Sequence, residues 1–180
     1  HNSKQWKNRL LNTMKSEPCF NIDWYDCSLF KANDWNPNRV LKSEYDILVR
    51  NIMSLGWVQP IIANNEYIII DGFHRWRIAQ DIKEVSDKYK GKVPAVLLDV
   101  DTRTAMIYTI RMNRAKGVHA SNGMQLVAKR LVNDFGMTEE ELKKELGMSS
   151  TEVDLLLSDS VLKARNSQDW KYNKAWYPIE

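Results

Sequence analysis

The residues with the clearest chemical potential lie between positions 68 and 77, which read Ile-Ile-Ile-Asp-Gly-Phe-His-Arg-Trp-Arg. The apolar run ends at Asp71, Gly72 permits a sharp turn, and the pattern predicts a helix that begins at once. The first N–H groups of a helix lack partners within it and carry a partial positive charge, so an anion binds there readily. The basic side chains of that first turn are His74, Arg75 and Arg77. The segment is interpreted as a phosphate-binding turn, and the alternative is a strand-to-helix turn with a solvated basic face.

The elements around this turn predict a mixed α and β domain. Apolar spacing predicts helices over 4–15 and over the segment that Ser43 would cap and Gly56 would end. Alternating or β-rich runs predict a strand within 20–30 and a hairpin of 61–63 with 67–70, turning at Asn64 and Asn65. The helix after Gly72 is predicted to end near Lys83. It would be followed by a polar loop over 84–92, a strand over 93–100, and a helix from an N-cap at Thr102 to about Met112.

After Gly117 the pattern changes to short helices alone. Ser121 or Asn122 would cap the first helix and Gly136 would end it. A capping box of Thr138 with Glu141 predicts the start of the second helix, and Gly147 its end. Ser149 or Ser150 would open the third. Three short helices with a glycine turn between the last two resemble a helix-turn-helix, and the alternative is a helical bundle used for packing or partner docking.

These patterns divide the chain into four parts. We predict a helical arm over 1–19, an α/β domain over 20–116, a helix-turn-helix-like domain over 117–160, and an aromatic tail over 161–180. The fold class is therefore α+β, with a small mixed sheet and helices followed by a small all-α domain.

Charge is distributed unevenly along the 180 residues, whose net charge is +3. Residues 1–120 hold 18 Lys and Arg against 13 Asp and Glu, whereas 121–160 hold 4 against 8 and 161–180 hold 4 against 2. A polyanion would therefore meet the first part or the tail rather than the middle. If DNA is bound, the expected contacts are Lys129, Arg130, Lys163 and Arg165, together with basic residues of the α/β domain.

Several classes of protein are not favoured by the composition. No apolar run approaches the roughly 18–20 residues that cross a bilayer, and no secretory signal is visible at the start, so we expect no membrane contact and a cytoplasmic protein. Cys19 and Cys27, the two cysteines, match no zinc-site spacing and are expected to be reduced. No metal ligands are assigned.

The motifs together resemble the ParB/sulfiredoxin superfamily over most of residues 20–120. The D-G-F-H-R sequence that begins at Asp71 is similar to the glycine-basic box that ParB proteins usually write D-G-E-R-R. The N-P-N-R run over 36–39, the G-W-V-Q-P-I run over 56–61 and the V-P-A-V run over 93–96 are similar to other ParB segments, in the expected order. The resemblance implies a ParB/sulfiredoxin-like fold.

The resemblance also implies a binding site for a nucleoside di- or triphosphate with Mg²⁺. By this comparison Arg75 and its neighbours would contact phosphate oxygens, and Gln59 would lie near the same pocket. Met112 to Lys116 stand where ParB proteins carry a second box, E-N-L-Q-R, with the Asn kept and a basic residue in the last position. The phosphate-binding or nucleotide-binding residues so implied are Gln59, Gly72, Phe73, His74, Arg75, Arg77, Asn113 and Lys116.

Two departures from the family patterns bear on chemistry. Met112 replaces the Glu that would help to hold a metal, which argues against ParB-style CTP hydrolysis. Phe73 replaces the cysteine of the sulfiredoxin G-C-H-R turn, which argues against sulfinic-acid reduction.

Two functions remain open, beside a purely structural scaffold whose pocket is inactive because Met112 interrupts the second box. The first is a regulatory module that holds a nucleotide or phosphate and acts with DNA or a protein partner. The chain most resembles the IbrB-type co-activators of prophage gene expression, which implies a PAPS-reductase-like ATP pyrophosphatase partner; a homodimer is also allowed. The second is an enzyme, a phosphotransferase, NTPase or nuclease similar to free-serine kinases. Its catalytic residues would be Asp71 as base and His74 and Arg75 as stabilisers of the transferring group.

Overall fold

The computed structural model describes residues 10–35, 42–116 and 122–157. Residues 10–15 are helical, and 3-10 turns at Pro18–Asn21 and Cys27–Leu29 flank the first strand. In chain order the strands are β1 (Asp23–Asp26), β2 (Ile61–Asn64), β3 (Ile69–Asp71) and β4 (Lys92–Leu98). The longer helices are α1 (Lys42–Leu55), α2 (Phe73–Asp81), α3 (Lys83–Tyr89), α4 (Thr102–Ala115), α5 (Asn122–Asn133), α6 (Glu139–Leu146) and α7 (Ser150–Leu157).

The four strands form one mixed sheet in the order β1-β4-β2-β3. β1 is antiparallel to β4, β2 is parallel to β4, and β2 is antiparallel to β3. The parallel pair requires a crossover, and α2 and α3 supply it between β3 and β4. The predicted α+β fold class is confirmed, and so is the hairpin that brings Asp71 to the end of β3.

One face of the sheet packs against α2. Its apolar cluster contains Ile61, Ala63 and Ile69 from the hairpin and Trp76 and Ala79 from α2, all buried. Trp76 also donates from Nε1 to the carbonyl of Cys27 at 2.8 Å. These contacts fix α2 against the sheet and therefore fix the direction in which its first turn points.

The hydrophobic cluster that includes Ile70 of β3 is built largely from α4 and the C-terminal helices. It includes Met106 and Ile110 of α4, Leu131 of α5 and Leu142 of α6, all buried. One continuous core therefore joins α4 to α5–α7. The four-part division of the chain stays a prediction.

Three predicted elements differ from the structure. Residues 84–92, predicted as a loop, contain α3, because the isolated apolar residue Val85 is fully buried against α1 and α2. Ser43 is a residue of α1 itself and not its cap. Asp101 rather than Thr102 caps α4, since its carboxylate accepts from the Thr104 N–H at 2.8 Å.

The predicted glycine stops and the predicted capping box are confirmed, while α4 continues to Ala115, past the predicted end at Met112. Gly56, Gly136 and Gly147 all have positive φ just beyond their helices. Thr138 and Glu141 form the predicted capping box. The capping residue of α7 is Ser149, whose hydroxyl accepts from the Glu152 N–H at 3.3 Å. The turn predicted over 36–39, the tail over 161–180 and the choice of Ser121 as a cap lie outside the described residues.

Candidate phosphate-binding pocket

A small pocket lies where β3 ends and α2 begins. Its volume is about 130 Å³. This is below the roughly 300–1,000 Å³ of sites that enclose a whole drug-sized ligand, so the described cavity fits part of a ligand. The lining residues are Asn33, Leu48, Ile69, Ile70, Asp71, Gly72, Phe73, His74, Arg75, Asn113 and Lys116.

Gly72 makes the turn into α2 with φ 89°, a left-handed conformation that glycine adopts without strain. A Cβ on Gly72 would lie 2.9 Å from both Arg75 Nη2 and Ile61 Cγ2. The first helical bond runs from the Trp76 N–H to the Gly72 carbonyl at 3.0 Å, so the N–H groups before Trp76 lie outside the α2 ladder. Glycine is therefore required both by the backbone angle and by the close approach of Arg75.

Arg75 is held rigidly over the pocket. Its Nη1 donates to Gln59 Oε1 at 3.0 Å, and its Nη2 donates to the Pro60 carbonyl and to Asp71 Oδ2, both at 3.2 Å. Its Nε is buried and has no hydrogen-bond partner in the part of the chain that the structure describes. The Nε–H of a fixed guanidinium is thus left without a partner at a buried position, where an unmatched donor is costly.

Helix α4 brings the second cation to the pocket. The Thr109 hydroxyl lies 3.2 Å from the Ile70 carbonyl of β3 and 3.0 Å from the Ala105 carbonyl of its own helix, so its one proton is shared between them and α4 is held beside β3. Asn113 and Lys116 follow four and seven residues later, on the same face of the helix. Lys116 Nζ therefore reaches Asp71 Oδ1 at 2.6 Å, an ion pair between residues 45 positions apart.

Asp71 is the carboxylate at the centre of the pocket, and its side chain is only 14% exposed. Burial alone would raise the pKa of Asp71. The hydrogen bond and charge of Lys116, together with those of Arg75, outweigh burial and hold that pKa below its usual range. Asp71 is therefore ionised at neutral pH, and Asp71, Arg75 and Lys116 together carry one net positive charge.

The described lining of the pocket offers few ligands for a divalent metal ion. Asp71 is the one carboxylate among the pocket residues, and each of its oxygens is bound by a cation. Within residues 10–35, 42–116 and 122–157 there is no group of three or more His, Cys, Asp or Glu side chains placed to hold a metal. Met112 lines a different cavity, between α4 and the turn at Pro18.

Most of the predicted phosphate-site residues meet in this pocket, but two do not line it. Gln59 lies behind it and acts through its bond to Arg75. Arg77 points away from the pocket, because side chains two positions apart on an α-helix, as Arg75 and Arg77 are, differ by about 200° in direction. It is exposed and forms an ion pair with Asp81 at 2.6 Å.

The predicted nucleic-acid residues lie elsewhere. Arg130 of α5 is bound by Asp34 at 2.8 Å and by Asp134 at 3.3 Å, so much of its charge is already compensated. Lys129 is on the same helix, while Lys163 and Arg165 lie outside the described residues. Described residues 122–157 hold four Lys and Arg against seven Asp and Glu, which makes this helical surface acidic.

Sequence reasoning missed Asn33 and Leu48 as pocket residues. Asn33 is 8% exposed and Leu48 comes from α1. The sequence signal for Asn33 is its place between two large aromatic residues, Phe30 and Trp35. Both are buried, so the polar side chain between them is also drawn into the interior.

Comparison with known proteins decides the family. The ParB N-terminal domain family matches residues 21–114, a range that includes β1 to α4 and the whole lining of the pocket except Lys116. The chain belongs to the ParB N-terminal domain family. Cys19 and Cys27, predicted to be reduced, are both free in the structure of this ParB domain.

Curated relatives and a solved structure agree with this assignment. An uncharacterized protein of Escherichia coli (strain K12), YbdM, is 32% identical over 170 residues, covering 92% of this chain and 80% of that protein. The probable chromosome-partitioning protein ParB of Rickettsia typhi is 32% identical over 132 residues, covering 71% of this chain. A Pnob8-like ParB-N domain shares the fold with a TM-score of 0.53 and 15% identity, over 76% of this chain and 68% of that one.

The match to the chromosome-partitioning proteins is partial in length. This chain spans 43% of the Rickettsia typhi ParB protein. Among the described residues of the ParB-like chain, no helix is long and apolar enough to cross a membrane.

We expect Gly72→Ala to destabilise the protein by about 2 kcal/mol or more, because the added methyl group meets both strain and the buried Ile61. Gly147→Ala is the matched control, since Gly147 also has positive φ but a Cβ there has nothing within 4 Å. Gly147→Ala should lower the free energy of unfolding by about 1 kcal/mol, the strain of an alanine in the left-handed conformation. Urea unfolding of both variants measures the difference, and equal losses would contradict the close packing at Gly72.

We expect Asp71→Asn to lower the free energy of unfolding by about 2 kcal/mol at neutral pH, the scale of a charged hydrogen bond. Because the folded state depresses the pKa of Asp71, this contribution is present above the ordinary value of 3.8 and is lost as pH falls through the folded pKa. The stability gap between wild type and variant should therefore narrow below about pH 4. Urea titrations from pH 7 to pH 3 test this, and a gap independent of pH would refute it.

Proposed function

We propose that the pocket binds phosphate groups of a nucleotide, and that this ParB-like domain is a regulatory module which acts with DNA or a protein partner. The observation that carries the proposal is that Arg75 of α2 and Lys116, just after α4, meet at the start of α2, where the buried Arg75 Nε has no partner within the described residues. Cations from two separate elements at a helix N-terminus form an arrangement suited to phosphate.

Asp71 limits what kind of anion can enter. Its carboxylate already compensates one of the two positive charges, so an entering phosphate must share or displace it. A ligand with several phosphate oxygens has more contacts to offer Arg75, Lys116 and the amides of the turn than a single carboxylate has. This favours a di- or triphosphate over a simple monoanion.

The size of the pocket supports the same ligand class. A cavity of about 130 Å³ accommodates phosphate groups but not an entire nucleotide, so most of the nucleoside would extend beyond the described lining. Gln59 supports the site indirectly by fixing the Arg75 guanidinium.

The proposal of a DNA or protein partner is supported by the names of similar proteins and by the distribution of charge along the chain. Among its relatives is a protein named as a probable chromosome-partitioning protein, which supports a role in DNA transactions. The acidic surface of residues 122–157 favours a protein partner at the C-terminal helices, and leaves DNA contacts to basic residues elsewhere. The co-activator role of IbrB type and a PAPS-reductase-like partner are finer proposals of the same kind.

We expect the full chain to bind inorganic tripolyphosphate and at least one of CTP, ATP, GTP and UTP in the presence of Mg²⁺, seen as a saturable rise in melting temperature. Arg75→Ala should weaken binding by about 10-fold or more, because a charged hydrogen bond contributes about 1.5–3 kcal/mol. Arg77→Ala, on the same helix but turned away, is the matched control and should bind as wild type does.

Calorimetric titration of folded variants keeps this test independent of changes in melting temperature. Arg75→Lys retains the charge and should give an intermediate affinity. Absence of binding to every ligand, or equal losses in Arg75→Ala and Arg77→Ala, would overturn the proposal. Steady phosphate release that disappears in Arg75→Ala would favour the enzymatic alternative, with Asp71, His74 and Arg75 as its catalytic residues.

A separate experiment addresses DNA. We expect duplex DNA to be retained in a salt-dependent manner, with the slope of log affinity against log salt reduced by about 2 in the double variant Lys163→Ala and Arg165→Ala. Arg130→Ala should leave that slope unchanged, because Asp34 and Asp134 already bind the Arg130 guanidinium. A slope that responds to Arg130 and not to the tail residues would contradict this arrangement.

A further inference from the structure

The segment that follows Phe30 runs beside β3 and is bonded to it first through the Lys31 backbone and then through the Asn33 side chain. The Lys31 N–H donates to the Tyr67 carbonyl at 2.9 Å, and the Ile69 N–H donates to the Lys31 carbonyl at 3.1 Å. The next bond along this edge comes from the Asn33 side chain, whose Nδ2 donates to the Ile69 carbonyl. Asn33 is thereby bonded to Ile69, which lies two residues before Asp71 in β3.

The anchor determines which way the Asn33 amide faces. A backbone carbonyl can only accept a hydrogen bond, so the atom bound to Ile69 must be Nδ2 and the other must be Oδ1. A flipped amide would put two acceptors against each other. The orientation of Oδ1 is therefore fixed by chemistry.

Asn33 Oδ1 is a buried acceptor without a hydrogen-bond partner within the described chain. The whole residue is 8% exposed, and it lines the same pocket as Arg75 and Lys116. Buried polar atoms in native proteins nearly always have a partner, and leaving one unmatched is costly. A ligand in the pocket that Asn33 lines is the candidate for the missing partner.

The chemistry of Oδ1 is opposite to that of its neighbours. Arg75 and Lys116 offer donors to an anion, whereas Oδ1 repels an ionised phosphate oxygen and attracts an N–H or O–H group. A ligand that satisfies the pocket must therefore carry a neutral donor close to its phosphate chain. Nucleotides combine the two features, because their sugar hydroxyls and base amino groups are neutral donors close to the phosphate chain.

We infer that Asn33 is a specificity-determining residue, whose Oδ1 accepts a hydrogen bond from a neutral donor on the nucleoside part of the ligand. This inference rests on the proposed phosphate site. The donor is either a sugar hydroxyl or an amino group of the base, and these two sources present the same chemistry to Oδ1.

The test compares ligands that differ by one donor. We use calorimetric titration of the full chain with inorganic tripolyphosphate, with CTP and UTP as a pair whose bases carry donors at different positions (the N4 amine against the N3–H), and with the 2′-deoxy and 3′-deoxy forms of the tighter-binding nucleotide. Wild type should lose about 10-fold in affinity when the critical donor is removed, the scale of one hydrogen bond to a buried acceptor. The identity of that analogue distinguishes base from sugar.

Asn33→Ala then separates recognition from structure. The variant should bind the paired analogues equally while binding tripolyphosphate as wild type does, because tripolyphosphate has no sugar or base donor for Oδ1. A general disturbance through the lost bond to Ile69 would weaken every ligand by the same factor, which would overturn the inference. Asn65→Ala, which changes an exposed amide bonded to Asp99, is the matched control and should keep the wild-type discrimination.

The inference and the proposed function fail in different ways. If wild type binds tripolyphosphate through Arg75 but binds every nucleotide analogue equally, the role of Asn33 is refuted and the phosphate site stands. If neither tripolyphosphate nor any nucleotide binds, both are refuted. If wild type loses no affinity for any of the analogues, the inference is refuted whether or not Asn33→Ala folds.

Discussion

The pocket depends on one buried carboxylate shared by two cations. Asp71 ends β3, Arg75 lies on the first turn of α2, and Lys116 follows the end of α4, so a single side chain ties three elements together. A buried charge is tolerated only when it is compensated, which requires that α2 and α4 keep their positions relative to β3. The geometry at Gly72, the anchoring of α4 through Thr109 and the fixed guanidinium of Arg75 all serve this requirement.

The sequence contained most of the fold in its local signals. The Asn64–Asn65 turn, the capping box at Thr138 and the glycine stops predicted elements that the structure has. Helix α3 was missed because one buried residue, Val85, is too little to reveal amphipathic periodicity amid charged neighbours. The cap of α4 was misplaced by one residue, since Asp101 and Thr102 are both good capping residues and only the bond to Thr104 distinguishes them.

The pocket itself was predictable in part. The strand–Gly–helix pattern indicated Asp71, Gly72 and Arg75, and the family resemblance added Asn113 and Lys116, which no local spacing could bring to β3. The same pattern also indicated Arg77, since it lies close to the first turn of α2, but helix geometry turns it away from the pocket. Asn33 could not be found, because its place in the pocket depends on a bond to Ile69, 36 residues along the chain.

The continuous core that runs from α4 into the C-terminal helices has a practical consequence for fragments of the protein. A chain cut after Lys116 would leave the face of α4 that contains Met106 and Ile110 without its companions Leu131 and Leu142. Newly exposed apolar surface of that kind promotes self-association. Fragments for crystallisation or titration should therefore retain residues through Leu157, even where only the pocket is of interest.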